Sequence, residues 1–203
     1  MWETVLQWDQ QAFLAVNNGW SNALFDALLP FFREKWFWAP LYLFVVVFVF
    51  VNFNRKSAAL FVLGLVLTVA LCDVSSSRLI KPNVQRLRPC RAPELQEKVV
   101  LRVSCGGGYS FPSSHAANHF GVAVYVVNLL GFAFRRMWTW MPAWAAAIAL
   151  AQVYVGVHYP LDVMAGALLG CAIGALVARL FGRVKKAFVN GASANQRRAA
   201  DAV

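Results

Sequence analysis

Four groups of polar residues stand at the edges of long apolar stretches: Lys81, Arg86 and Arg88; Ser113, Ser114 and His115; His158; and Asp162. Ionisable groups in such positions are costly unless they serve something. Lysine offers a compact ammonium, and arginine a planar fork that matches two oxygens of one anion. Pro89 biases Arg88 toward an extended backbone, which places this pair on a loop. Pro112 followed by two serines marks a helix start, whose free N–H groups and positive dipole end make a ready anion site. The run Gly106-Gly107-Gly108 just before it lets the loop close over a head group. His158 and Asp162 stand four residues apart. Taken singly, a histidine beside an apolar run reads as an interfacial residue and a basic loop as a binder of anionic head groups. Chemistry requires that the four groups meet.

Composition says which elements must bring them together. Of 203 residues, 60% are hydrophobic and 14% charged, whereas average soluble domains run near half and a quarter. A soluble core of this size does not hide so much apolar surface, so lipid must solvate part of it. The runs Trp36–Phe53, Ala58–Cys72, Ala116–Phe134, Trp138–Val157 and Leu161–Phe181 are almost free of charge. A spanning helix needs about 20 such residues, with a floor of roughly 17. Four runs meet that floor, and the second does so when extended through Asp73–Ser77. The expected fold is all-α, a polytopic membrane bundle of five to six transmembrane helices.

Residues 1–35 mix acids, aromatics and leucines, and Asp9 and Asp26 interrupt any spanning run. They read as N-terminal interfacial helices, with a sixth span through Ala23–Phe32 as the alternative. No basic region and small-residue cleavage site of a signal peptide precedes them. Residues 36–182 read as one transmembrane catalytic domain, and 183–203 as a basic, disordered cytoplasmic tail.

Five spans put the turns Asn54–Ser57 and Arg135–Met137 and the C-terminal tail on one face. The N-terminal segment, the loop from about Arg78 to Phe111 and the turn His158–Leu161 fall on the other, so all four polar groups emerge together. The 19 basic residues divide ten to nine between the faces. The ten stand beside Asp201 alone, whereas the nine share their side with eight acids. The first face is therefore placed in the cytoplasm and the site on the periplasmic or exterior side of a cell membrane. Cys90 and Cys105, with fourteen residues between them in the long loop, form a disulfide candidate for an oxidising compartment. Two free thiols are the other reading. No further Cys or His lies in that loop to complete a four-ligand metal site, so neither metal nor cofactor is expected.

These residues resemble a known family. Lys81-Pro-Asn-Val-Gln-Arg-Leu-Arg88-Pro89 matches the first motif of the type 2 phosphatidic acid phosphatases. Pro112-Ser-Ser-His115 is similar to the second motif, and Tyr154-Val-Gly-Val-His158-Tyr-Pro-Leu-Asp162 to the third. The resemblance covers about residues 36–182 and departs in two places. Ala151-Gln152 stands where the third motif usually begins Ser-Arg, and Ser114 where the second often has Gly. A phosphoryl centre spreads charge over its equatorial oxygens and needs fixed positive groups. The resemblance implies that His158 attacks phosphorus to form a phosphohistidine. It implies that His115 protonates the leaving oxygen and then activates water, while Asp162 orients His158. Lys81, Arg88, Ser113, Ser114, Arg86 and Gln152 then bind phosphate, with Arg86 compensating the neutrality of Gln152. His119 reads as structural, and Trp36, Trp38, Trp138 and Trp140 as an aromatic belt.

Such a protein hydrolyses a lipid phosphate or diphosphate. A polyprenyl diphosphate is the expected substrate; phosphatidic acid, phosphatidylglycerol phosphate and lipid A phosphates are alternatives. Transfer to another lipid, or a lipid-phosphate transporter that kept the site without turnover, are the competing functions. The expected partners are the lipid substrate and the bilayer, with no nucleic acid and no obligatory protein partner.

Overall fold

The computed structural model describes residues 2–34 and 36–183, with 186 and 190 beyond them. The tail expected over 183–203 otherwise lies outside the described residues. Every regular element among the described residues is helical. Helices α1 (Trp2–Asn17) and α2 (Ala23–Phe32) precede α3 (Ala39–Asn52) and α4 (Arg55–Asp73). The last of these continues through a wider-wound π-helical segment, Val74–Ile80, into the short α5 (Lys81–Val84). After the long loop come α6 (Ser114–Leu130), α7 (Met137–Tyr154) and α8 (Pro160–Leu180).

Local chemistry sets most boundaries. Asn22 and Asn54 cap α2 and α4, their side chains accepting from the N–H groups of Phe25 and Ser57 at 2.9 Å. Ser113 caps α6, and Pro160 opens α8 where its missing N–H costs nothing. The helical path does not stop at Ser77, where the second span was expected to end. It runs on to Val84, so Lys81 stands on a helix and only Arg88 is extended (φ −72°, ψ 153°). By length and composition, Arg55–Arg91 and α8 can cross a bilayer, while α2 and α3 are apolar but shorter.

The tightest helix pairing is α6 against α8. Gly166, Gly170 and Gly174 recur every four residues, so they form one stripe on α8. A Cβ on any of them would collide with the carbonyl oxygen of Ser113, Ala117 or Gly121 respectively. Small residues at this spacing let helix backbones touch in an apolar medium, where burial alone drives little association. Beneath the pair, Phe61, Val126, Leu129 and Val177 build an apolar core, and Tyr125 donates to Phe61 O at 2.9 Å.

A second core ties the N-terminal helices to the outer ends of α7 and α8. Phe13 packs with Ala92, Leu95, Val153 and Tyr159. Asn17 donates to Tyr154 O (2.7 Å) and Val100 O (2.9 Å), and accepts from Val100 N (2.9 Å). Arg102 donates to Asn17 O and Tyr154 O at 2.9 Å, pairs with Asp26, and lies 4.0 Å over the Tyr154 ring. Tyr154 and Arg102 hold the Asp26 carboxyl below its usual range. The acids that break the N-terminal apolar pattern are thus paired with this cap.

Gly170→Leu should destabilise the protein by about 1–3 kcal/mol through overpacking. Thermal unfolding in detergent should show its midpoint several degrees lower, whereas Gly107→Ala, whose new methyl meets nothing within 4 Å, should leave it unchanged.

Candidate active site

The glycine stripe sets the two histidine-bearing turns against each other. Ser113 N donates to Asp162 O at 2.9 Å, joining the first turns of α6 and α8. His158 lies in the link between α7 and α8, which turns at Gly156 (φ +92°), a left-handed conformation that glycine adopts without strain. Its side chain is 2% exposed, with Nδ1 3.4 Å from Asp162 Oδ2 and Nε2 3.5 Å from an Arg88 nitrogen. Asp162 also accepts from Tyr159 N (2.9 Å). Burial pushes the His158 imidazole down to about 4, against a smaller upward pull from Asp162. The ring is therefore neutral near pH 7, with Nε2 directed away from the carboxylate.

A cavity of about 210 Å³ opens at that nitrogen. Its walls are Lys81, Arg88, Ser114, His115, Gln152 and His158, with Arg33 and the Ser104–Gly106 backbone closing it. Arg88 reaches the carbonyl oxygens of Val157 and Gly107, each at 3.3 Å. Ser114 Oγ lies 2.9 Å from Ser76 Oγ and 3.0 Å from Ser77 Oγ. Both side-chain atoms of Gln152 are buried without hydrogen-bond partners, as are Arg33 Nε and Arg88 Nε. Buried polar atoms are rarely left unpaired. An oxyanion in the cavity could accept from the donors among them, Gln152 Nε2 and the arginine Nε groups, whereas Gln152 Oε1 needs a donor.

Cys90 and Cys105 form a disulfide with Cα atoms 6.1 Å apart. It clips the turn that follows Arg88 to the glycine loop, and Arg91 donates to Gly106 O at 2.5 Å. Cys72 and Cys171 are free thiols. No group of three His, Cys, Asp or Glu side chains among the described residues is arranged to hold a metal ion.

Two residues expected on phosphate lie elsewhere. Ser113 is fully buried, its Oγ accepting from Ala116 N at 3.4 Å as a helix cap. Arg86 faces away from the cavity because two carboxylates claim its fork: Asp9 at 2.6 Å and Asp162 at 2.7 Å. Its guanidinium also stacks 3.9 Å over the Tyr159 ring. Asp9 accepts in turn from Leu161 N at 2.9 Å. Burial raises the Asp9 carboxyl, and the Arg86 bond and the Leu161 N–H counter that rise. Arg86 is thus bonded to Asp162 and is not among the residues that line the cavity with Gln152. Besides Lys81 and Arg88, the cavity shares a third cation with Gln152: Arg33, at the C-terminal cap of α2. His119 is structural in its bonds: Nε2 meets Tyr42 OH at 3.2 Å and Nδ1 meets His115 O at 2.7 Å.

An all-helical fold with this cavity at one end defines a class, the membrane phosphatases acting on lipids. Residues 57–186 match the PAP2 superfamily, and the chain belongs to it. It is accordingly a hydrolase acting on phosphate esters. A lipid A 4'-phosphatase of Bacteroides thetaiotaomicron is 34% identical over 157 residues, 75% of this chain and 68% of the relative. An undecaprenyl-diphosphatase of Sulfolobus acidocaldarius is 32% identical over 167 residues, 81% and 74% of the two chains. The fold matches the crystal structure of a PAP2-type phosphatidylglycerolphosphate phosphatase from Bacillus subtilis, with a TM-score of 0.65 and 19% identity. That match covers 89% of this chain and 87% of the other.

Arg33→Ala should lower kcat/KM about 10- to 100-fold, the worth of one charge-assisted hydrogen bond. Adding Gln152→Arg should recover part of the loss. Steady-state kinetics of the two single variants and the double variant test this; strict additivity would separate the two residues.

Proposed function

We propose that the protein removes a phosphate from a membrane lipid in two steps through His158, at the outer face of a cell membrane. The observation that carries this is the buried His158, held on Asp162 and lining a cavity walled by Lys81, Arg88, Arg33 and His115, with Nε2 in only a long contact with Arg88. The Nε2 lone pair attacks phosphorus and the bond to the lipid oxygen breaks. The leaving oxygen takes a proton from His115. His115 then withdraws a proton from water, which attacks the phosphohistidine and releases inorganic phosphate. Lys81, Arg88 and Arg33 stabilise the charge spread over the equatorial oxygens, and Gln152 donates to one of them. The Asp162 carboxylate keeps the Nδ1 proton in place and stabilises the imidazolium character that grows at His158.

The substrate reading supported by the Bacteroides relative is a phosphate monoester on a saccharide lipid of the lipid A type. A polyprenyl diphosphate is the second reading, favoured by three cationic side chains around one small cavity, more than a single monoester needs. The outward-facing site is supported by the disulfide in the loop beside the cavity, a bond suited to an oxidising compartment.

Incubating purified protein with a ³²P-labelled lipid phosphate and quenching in base should trap an acid-labile phosphoenzyme. Label should be absent from His158→Ala, and turnover absent from both His158→Ala and His115→Ala. Label on the His158→Ala protein would overturn the assignment. Activity should persist in a strong chelator; loss restored by a divalent ion would require a metal mechanism. Thiol titration under denaturing conditions should find two reactive cysteines of the four.

A further inference from the structure

The phosphate cavity is not closed on its membrane side. Arg33, Ser114 and His115 are shared with a second chamber of about 330 Å³, which deepens between α3, α4 and α6. That chamber opens in turn on an apolar groove lined by Leu65, Val66 and Ala70. Because His115 lies on the wall between the first two spaces, the departing oxygen of the substrate faces the second. Whatever the phosphate was attached to must occupy it.

Its lining is mostly apolar but carries polar groups that a hydrocarbon chain would leave unsatisfied. Asp73 ends α4 with an exposed carboxylate, which accepts a long hydrogen bond from Ser77 Oγ at 3.4 Å. A carboxylate beside an apolar groove in a membrane helix is costly and marks function. Asn118, one turn below His115, keeps a buried Oδ1 without a hydrogen-bond partner. The Tyr42–His119 pair completes the polar wall. Asp73 and Asn118 Oδ1 are acceptors, so the group that satisfies them must donate hydrogen bonds.

We infer that Asp73 and Asn118 form a leaving-group subsite for a hydroxyl- or amide-bearing head group, such as a sugar or glycerol. This rests on the lipid-phosphatase reading above and narrows its substrate. A prenyl diphosphate has no donor to offer these acceptors, and its second phosphate would bring negative charge toward Asp73. The hydrocarbon tails of a saccharide or glycerol lipid continue into the apolar groove beyond.

Two measurements test the subsite separately from catalysis. In kinetics with phosphatidylglycerol phosphate, lipid A and farnesyl diphosphate in mixed micelles, the wild type should favour the hydroxylated lipids by at least tenfold in kcat/KM. Asp73→Ala should erase that preference by raising KM for them roughly tenfold, the worth of one hydrogen bond to a charged group, with farnesyl diphosphate unaffected. In binding, the turnover-free His158→Ala protein should hold the hydroxylated lipid phosphates more tightly than farnesyl phosphate, and adding Asp73→Ala should remove the difference. Equal losses for all substrates, or a preference that survives Asp73→Ala, would overturn the subsite. Selective binding without any phosphoenzyme in the wild type would instead overturn the phosphatase reading and leave the subsite standing.

Discussion

Everything at the site depends on how closely α6 can approach α8. Three glycines without side chains let the carbonyl oxygens of Ser113, Ala117 and Gly121 press against the neighbouring helix. The contact fixes both the separation and the register of two helix starts. One start carries Ser114 and His115, and the other carries Asp162 with His158 just ahead of it. A phosphoryl transfer site needs its groups placed to within a fraction of an ångström, and two helices in backbone contact hold that tolerance better than loops.

The N-terminal helices do more than rest at the interface. Asp9 takes one arm of Arg86 while Asp162 takes the other, so a residue of α1 is one link away from the carboxylate on His158. Breaking a buried ion pair by removing one partner costs several kcal/mol, because the other charge is left uncompensated. Asp26, Arg102 and Tyr154 make a similar link from α2 to the end of α7. Arg33 then projects from the end of α2 into the cavity. The segment ahead of the residues matched to the superfamily thus bonds to the candidate site and lines part of its cavity.

What was legible in the sequence is what depends on a few adjacent residues. Pro112 and the serines after it announce a helix start, Pro160 announces another, and the i, i+4 spacing of His158 and Asp162 makes their contact predictable. Lys81, Arg88, Ser114, His115, Gln152 and His158 do share one cavity. Arg86 was legible as a site residue but not in its role. Its chain neighbours point to phosphate, while the carboxylates that capture it arrive from 77 and 76 residues away. Arg33 gave no signal, since a cation after a short aromatic-rich helix reads as an interfacial anchor. For Arg86 the available cue was Asp9, a charge inside an otherwise apolar helix face. Ser113 is a helix cap in the fold, and a serine cap and a serine ligand have the same sequence signature.

The wider winding over Val74–Ile80 has its own consequence. Each residue of an α-helix advances the chain by about 100° around its axis, and a π-helical turn absorbs one residue more than an α-turn does. Lys81 follows directly on that segment, so its angular position carries the surplus. Were the same stretch wound as ordinary α-helix, the ammonium would point toward a different quadrant of the bundle, away from the cavity it lines. The site thus inherits a phase offset from the span beneath it, and a change in length there acts on catalysis as a rotation.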